Sequence, residues 1–564
     1  MSDAPRAVRV VTEVAAVDRE FDYLVTESTA GLAIGDRVRV NLHGRSVRGW
    51  VVDDAPVERE LKPIVKSLGK GPSPAVVDLA RWAADRWVAP LAKFLTTATP
   101  PRIYHSLPPT PPLPSVNVVA PRAAGTYPWG AAHDPLEVIE SALWAAKGRE
   151  GSVLILVPTD GWAQRLVERC RRRQWPVAGP DDWDKQRAGW PLIVGTRGDA
   201  FSPTPRLAAA VIIDADDDAY VSQAAPTWDA VSVVAERCRR DGADLFALSP
   251  VPSPHTIGSC PPLHSVDDPS WWPLVDIIDR RSSDPRDGVL SSEIVSAAHR
   301  CFGEGKTVAV ISQRLGAGRI NACKACGELA TCENCGRLED EVGEGLRCSN
   351  CEITRATFCR ACGRTAFRRV QQGVTTLARD VGLLLGRDAL EVTAATAEMD
   401  ESALLVVGTE AVFPRLRRAG LVVMADFDQY LLAPRERARR DALSVIAKAG
   451  RLVGPRRDAH GRVMIQTRRN DDDVLRALRS MDVSEVMAGD MEIAEILQLP
   501  PFATVIEISG DGRGEVVDAL RAAGFSVSES GEVSTVRGLG SELRAVIRSR
   551  GRIENVRLAV SDGR

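Results

Sequence analysis

The sequence predicts a multidomain α/β chain: a small β-rich module at the N-terminus, two parallel sheets flanked by helices, a cysteine-rich insertion within the second, and a C-terminal α+β piece. Three observations predict it. Val-rich runs broken by turn residues fill the chain before Val52, a strand-and-turn pattern. From about residue 128, short and wholly apolar runs alternate with helix-length segments, as in sheets covered on both faces. Eight of the 12 cysteines form four Cys-x-x-Cys pairs between Cys323 and Cys362. At 564 residues the chain has room for about three or four such units, because single cores stop growing near ~250 residues.

In the N-terminal part, residues 1–106, the runs Val8–Val14, Phe21–Val25, Arg37–Asn41 and Val47–Val52 read as strands, the last two joined through His43-Gly44-Arg45. Ser73 as N-cap and Pro74 at the first helical position open a helix with Val76, Leu79, Ala80, Ala83 and Trp87 on one face. Residues 107–127 contain LPPTPPLPS at Leu107–Ser115, too rich in proline for a helix or a central strand, and read as a stiff extended linker. The first sheet occupies 128–256, with runs at Val153–Val157, Leu192–Val194 and Ala210–Ile213. Residues 257–288 read as a connector. The second sheet occupies 289–321 and 365–484, with runs at Val308–Ile311, Leu404–Val407 and Leu421–Met424. Its insertion spans 322–364, and the α+β piece 485–564 closes the chain.

A Cys-x-x-Cys turn aims two thiolates at one point, and two turns complete a tetrahedral S4 shell suited to zinc or an iron-sulfur centre. Only five residues separate Cys326 from Cys332, whereas the twelve between Cys335 and Cys348 match an ordinary zinc ribbon. The spacing therefore predicts a nested arrangement. Cys323, Cys326, Cys359 and Cys362 hold the first zinc, and Cys332, Cys335, Cys348 and Cys351 hold the second. No position stays open for a substrate, so both ions are expected to hold shape. Disulfides fit poorly: Met1–Arg9 lacks an apolar signal core and no apolar span of membrane-crossing length follows, which places the chain in the reducing cytoplasm with no membrane partner. A net charge of −3 gives no global basic field, so nucleic-acid contact must come from local patches such as Arg171–Arg173, Arg415–Arg418, Arg435–Arg440 and Arg456-Arg457.

Several segments together resemble the PriA (primosomal protein N-prime) replication-restart helicase family, in a degenerate form similar to its actinobacterial branch. FDYL at Phe21–Leu24 and DRVRVNLHGRSVRGWVV at Asp36–Val52 are similar to its 3'-DNA-end-binding domain. IVGTRGDAFSP at Ile193–Pro203 and AAAVIIDADDDAY at Ala208–Tyr220 resemble helicase motifs Ic and II. In order follow ALSPVPS at Ala247–Ser253, the cysteine pairs, VVGTEAVFP at Val406–Pro414, AKAGR at Ala447–Arg451, VMIQT at Val463–Thr467 and LPPF at Leu499–Phe502. The resemblance implies two RecA-like helicase lobes with the zinc insertion in lobe 2. It also implies a 3'-end pocket made by Phe21, Asp22, Tyr23, Gly44 and Gly49, with Asp22 reading the terminal base edge. The family's winged-helix domain has no counterpart in the proline-rich linker.

ATP-driven strand separation needs a phosphate-cradling loop with its lysine, a metal-binding acid, a base for water and an arginine finger. Where the loop is expected the chain reads Trp129-Gly130-Ala131-Ala132-His133-Asp134-Pro135, and the family's Asp-Glu-Glu-His reads Asp214-Ala215-Asp216-Asp217. Ser-Ala-Thr-Pro has become Ser249-Pro250-Val251-Pro252, the glycines and lysine after Gly408-Thr409 are absent, and one motif VI arginine is Lys448. Asp214 and Arg451 remain as remnants of a nucleotide site, and no catalytic residue is expected. Gly303-Glu304-Gly305-Lys306-Thr307 imitates a P-loop but precedes its strand, and reads as a tight turn. The expected function is recognition of stalled or branched DNA forks and promotion of primosome assembly, without helicase activity. DNA, other primosome components and the single-strand DNA-binding protein are the partners implied. The alternative is an active ATP-dependent 3'-5' DNA helicase with an atypical nucleotide site; a zinc-ribbon adaptor with no DNA role is a third class.

Overall fold

Alternating Val residues at the N-terminus bury one face of a sheet, and the computed structural model shows that sheet as five antiparallel strands. It describes residues 6–14, 19–57, 60–100, 102–265, 268–281, 288–312, 321–334, 338–343, 345–348, 351–369, 374–396, 399–400, 402–433, 435–458, 460–551 and 555–561. The strands run in the order Glu20–Leu24, Ala7–Thr12, Arg45–Ala55, Arg37–Leu42, Lys66–Ser67. His43 and Gly44, both at positive φ, make the two-residue turn between Leu42 and Arg45, the backbone hand that suits a hairpin. Val8, Val10, Tyr23, Val38, Val40 and Val51 fill one side. On the other, Val11, Trp50 and Val52 pack on the helices Pro74–Arg86 and Leu91–Thr97, and Phe94 against Phe201 continues that core into the next domain. Ser73 precedes the first helix as expected, yet its hydroxyl donates to the Thr204 carbonyl at 3.2 Å and so ties the two domains together.

Both parallel sheets form, each with six strands among the described residues. The first has the order Gly125–Pro128, Asp244–Ser249, Leu207–Ile213, Ser152–Leu156, Leu192–Gly195, Val177–Ala178; the second has Val275–Asp279, Arg462–Thr467, Leu421–Met424, Val308–Ile311, Leu405–Gly408, Leu390–Val392. Their central strands are buried on both faces by helices, which is why they read as unbroken apolar runs.

Two edge strands and one helix shift three domain boundaries. Gly125–Pro128 begins within the stretch 107–127 read as linker, and Val275–Asp279 lies inside the connector 257–288. Edge strands tolerate proline and mixed polarity, so GTYP and VDIID lack the apolar signature of the central ones. The helix Ser484–Ile496, assigned to the C-terminal piece, packs Val486 and Met487 into the core of the second sheet. The C-terminal sheet follows, antiparallel in the order Val527–Ser530, Val533–Gly538, Thr504–Ser509, Arg557–Ser561, with helices Arg513–Ala522 and Gly540–Ser549 on one side.

Candidate functional site

The cysteine module leaves the second sheet after Ile311 and returns at the helix Val374–Leu385. Asn321–Cys323 pairs with Phe367–Arg369 at its base, and Glu339–Val342, Gly345–Cys348 and Thr354–Ala356 form a three-stranded sheet. The Sγ atoms of Cys323, Cys326, Cys359 and Cys362 lie within 4.8 Å of one another, as do those of Cys332, Cys348 and Cys351. This is the nested grouping expected from spacing; Cys335, the remaining expected ligand, lies outside the described residues. Opposed thiols stand 3.5 Å apart at Cys323 and Cys362, 3.4 Å at Cys326 and Cys359, and 3.5 Å at Cys332 and Cys351. A disulfide would need about 2 Å, whereas tetrahedral thiolates on one ion with bonds of about 2.3 Å stand just under 4 Å apart. The all-sulfur donor set and these separations fit zinc. Backbone N–H groups of Ala325 and Cys351 point at the sulfurs of Cys323 and Cys348, an arrangement that favours thiolate.

Sequence reasoning missed the polar strut between the two clusters. Glu339, 1% exposed, accepts from Arg355 Nε at 3.0 and 2.9 Å and stands 3.9 Å from Arg360. A glutamate in an alternating EDEV strand gave no sign of burial.

In the N-terminal sheet the five expected pocket residues occupy four environments. Phe21 and Tyr23 face the core side of the edge strand, opposite Val10 and Val8. Tyr23 is buried and its hydroxyl donates to the Asn41 carbonyl at 3.1 Å, so its ring is a wall of the fold and does not offer a stacking face. Phe21 remains half-buried, with Arg19 5.8 Å over its ring. Asp22 points to the opposite face, where Arg9 reaches it at 3.3 Å and also stands 3.7 Å from Glu20 and 4.0 Å from Asp53. Gly44 is the exposed hairpin tip. Gly49 is buried, and a Cβ there would meet the Val11 carbonyl oxygen at 2.5 Å, so strand packing alone requires its smallness.

Asp214 and Arg451 come together between the two lobes. Asp214 ends the strand Leu207–Ile213 in the left-handed region, φ 54°, and both its carboxylate oxygens accept from Arg451 Nη2. Arg451 Nε donates to the Ala131 carbonyl at 3.2 Å, and its guanidinium lies 4.6 Å over the Trp162 ring. Beside it Lys448 pairs with Asp217 at 3.1 Å, and Arg437 with Asp218 at 2.6 Å. Burial opposes the charge on Lys448, but Asp217 and Glu410 outweigh it and hold the ammonium above its ordinary range; burial pushes Glu410 up. The cavity left among Asp214, Asp216, Asp217, Glu410, Tyr430 and Lys448 is about 110 Å³, below the ~300 Å³ at which small-molecule sites begin.

The P-loop imitation is a turn. Gly305 N–H donates to the Phe302 carbonyl at 3.0 Å, Lys306 N–H to that of Cys301 at 2.8 Å, and Lys306 Nζ sits 2.7 Å from Glu304. Amides spent on a helix end cannot cradle phosphate. The arginine runs are also largely engaged within the fold: Arg435 pairs with Asp441 at 3.3 Å, Arg440 with Asp490 at 3.2 Å, and Arg173 with Glu140.

Residues 9–100 match the family model of the 3'DNA-binding domain (3'BD) of PriA. The protein named probable replication restart protein PriA from Mycobacterium tuberculosis is 25% identical, with 90% of this chain and 87% of that one covered. The resemblance to the PriA replication-restart family thus extends over nearly the whole chain. The PriA protein of Thermotoga maritima is 22% identical, with 64% of this chain and 53% of its own length covered. Saccharomyces cerevisiae Dbp5 bound to RNA and ADP BeF3 is a solved structure that covers 68% of this chain at 11% identity and a TM-score of 0.35, a likeness too slight to carry an argument. Over the PriA-like span no described helix is long and apolar enough to cross a membrane.

Proposed function

We propose that this chain is a replication-restart protein that recognises stalled or branched DNA forks and promotes primosome assembly without using ATP. The PriA 3'BD match and the mycobacterial similarity support the restart role. The observation that carries the loss of ATP chemistry is the Arg451–Asp214 pair. The metal-binding acid of that motif, Asp214, is already neutralised by the arginine that would act on a transferring phosphate. Next to it Ala215, buried, stands where a carboxylate would activate water. In this reading the N-terminal domain captures a 3' end, and two zinc ions held by the eight cysteines stiffen a module that, with the C-terminal domain, meets DNA and partners. Those partners are other primosome components and the single-strand DNA-binding protein. In the C-terminal domain, Arg544 and Arg548 face Asp85 at 3.9 and 3.2 Å.

The test is DNA-stimulated ATP hydrolysis and fork binding on one zinc-replete sample. Tight binding to a fork with a free 3' end, weaker binding to one with a blocked end, and no phosphate release above a protein-free control are expected. Nucleotide-driven strand separation that is lost in Asp214→Ala would establish the helicase alternative instead.

A further inference from the structure

The loop Trp129–Pro135 stands where phosphates would be cradled, and the chain fills it with its own side chains. The imidazole of His133 is sandwiched between two indoles. Trp129 lies 3.9 Å away at an interplanar angle of 5°, and Trp271 lies 4.0 Å away at 7°. Both ends of this stack carry a guanidinium: Arg457 is 3.4 Å from the Trp271 centroid and Arg122 is 5.0 Å from that of Trp129. His133 Nε2 is held 2.8 Å from Glu137, which Arg122 also grips at 2.7 Å. A Cβ at Gly130 would come within 2.7 Å of Trp271 Cβ, so the loop backbone and the indole leave no gap between them.

The stack crosses from one lobe to the other. Trp129 and His133 belong to the first lobe, following the strand Gly125–Pro128. Trp271 is joined to the second: the next residue, Trp272, is buried in that lobe's core, and the Trp272 carbonyl accepts from Arg456 N–H at 2.8 Å. Three ion pairs run alongside and cross the same boundary, Arg451–Asp214, Lys448–Asp217 and Arg437–Asp218. In two-lobed ATPases, groups from both sides converge on bound nucleotide and magnesium, and that ligand is what draws the lobes together. Here every such contact is made between the lobes themselves.

We infer that the two lobes form a clasp that is closed without nucleotide, the Trp129–His133–Trp271 stack and the three ion pairs taking the place of the ligand. A ligand with no differential affinity for the two arrangements shifts nothing, so interlobe geometry is indifferent to ATP and ADP. This inference rests on the reading that the nucleotide site is lost, and it deepens that reading by stating what replaced the nucleotide.

The test is energy transfer between dyes attached through unnatural amino acids at Lys147 and Leu383, both exposed, one on each lobe, in the full-length zinc-loaded protein. A single high-transfer population, unmoved by Mg·ATP, Mg·ADP or a non-hydrolysable ATP analogue, is expected. Trp271→Ala combined with Arg451→Ala should transfer most of that population to low transfer. The inference is overturned if the unmodified chain populates an open state, or closes only when nucleotide is added. It is equally overturned if the double variant, with zinc content and circular dichroism unchanged, stays closed. ATP turnover measured on the same sample separates the two ideas: hydrolysis by a closed protein sinks the proposed function alone, while an open cleft with no hydrolysis sinks the clasp alone.

Discussion

Arg451 and Asp214 are 237 residues apart in sequence and share one interlobe ion pair, in which a single guanidinium nitrogen faces both carboxylate oxygens. The Asp214 side chain is 10% exposed and that of Arg451 28%, so removing one partner leaves a charge with little water to replace it. Breaking such a pair costs roughly 3 kcal/mol. Arg451→Ala is therefore expected to lower the melting temperature by several degrees, and Asp214→Asn by less, because the amide oxygen still accepts from Arg451. The double change to Ala and Asn should lose less than the sum of the two singles. Strict additivity in that cycle, read by scanning calorimetry, would mean the pair is not coupled.

Metal removal is expected to act locally and strongly. The cysteine module has a small apolar core, Cys323, Ala330, Leu346, Cys359 and Phe367, and a metal bound through four thiolates supplies on the order of 10 kcal/mol of folding free energy. Elemental analysis should give two zinc ions per chain. A chelator that strips them should open the stretch 322–364 to protease while the two sheets keep their melting transition. Cys326→Ser should release one ion, and Cys332→Ser the other, as the nested grouping requires. Loss of both ions from either single variant, with the rest of the chain intact, would show that the sites are not independent.

The central strands, the hairpin and the cysteine grouping were legible in the sequence because each has a local signature: apolar runs, a His-Gly turn, repeated Cys-x-x-Cys. What was not legible depends on contacts between distant residues. Trp271 gave no sign that it would lie against His133, and Glu339 none that Arg355 would bury it. Edge strands such as Val275–Asp279 were lost for a different reason: half of each strand needs no apolar side chain, so its pattern resembles a loop. The burial of Tyr23 was not legible either, because an aromatic in a β module suits an exposed face or a core, and only its position opposite Val8 sets it inward.

Asp22 is expected to matter to 3'-end binding through its edge, and Arg9 to matter through Asp22. The carboxylate is on the edge strand, and one of its oxygens accepts from Arg9 at 3.3 Å. Asp22→Ala should weaken binding to a fork with a free 3' end about tenfold, about 1.4 kcal/mol, and bring it to the level of a 3'-blocked fork, while duplex affinity stays unchanged. Arg9→Ala should show a smaller loss in the same assay, since it orients the acceptor without supplying it. Equal affinity of Asp22→Ala and the unmodified chain for the free-end fork would remove Asp22 from the pocket.

His255 and Asp229 give the first lobe a pH-dependent contact. His255 Nε2 lies 3.3 Å from Asp229, whose other partner is the Ser232 N–H at 2.7 Å. Burial would lower the His255 pKa, but the Asp229 charge and hydrogen bond outweigh it and hold the imidazolium above its ordinary 6.5; burial would raise Asp229, but His255 and Ser232 hold it below its ordinary 3.8. A raised histidine contributes stability that is fully present below the unfolded value and is lost as pH rises through the folded one. A depressed carboxylate contributes stability above its unfolded value that is lost as pH falls through the folded one. The pair is therefore worth most between about pH 4 and 6.5, and its partial exposure limits it to roughly 0.5–1 kcal/mol. His255→Gln should melt lower than the unmodified chain near pH 5.5, with the gap closing as the pH is raised to 8.5. A gap that is constant across that range, or that widens toward alkaline pH, would show that His255 is not charged in the fold.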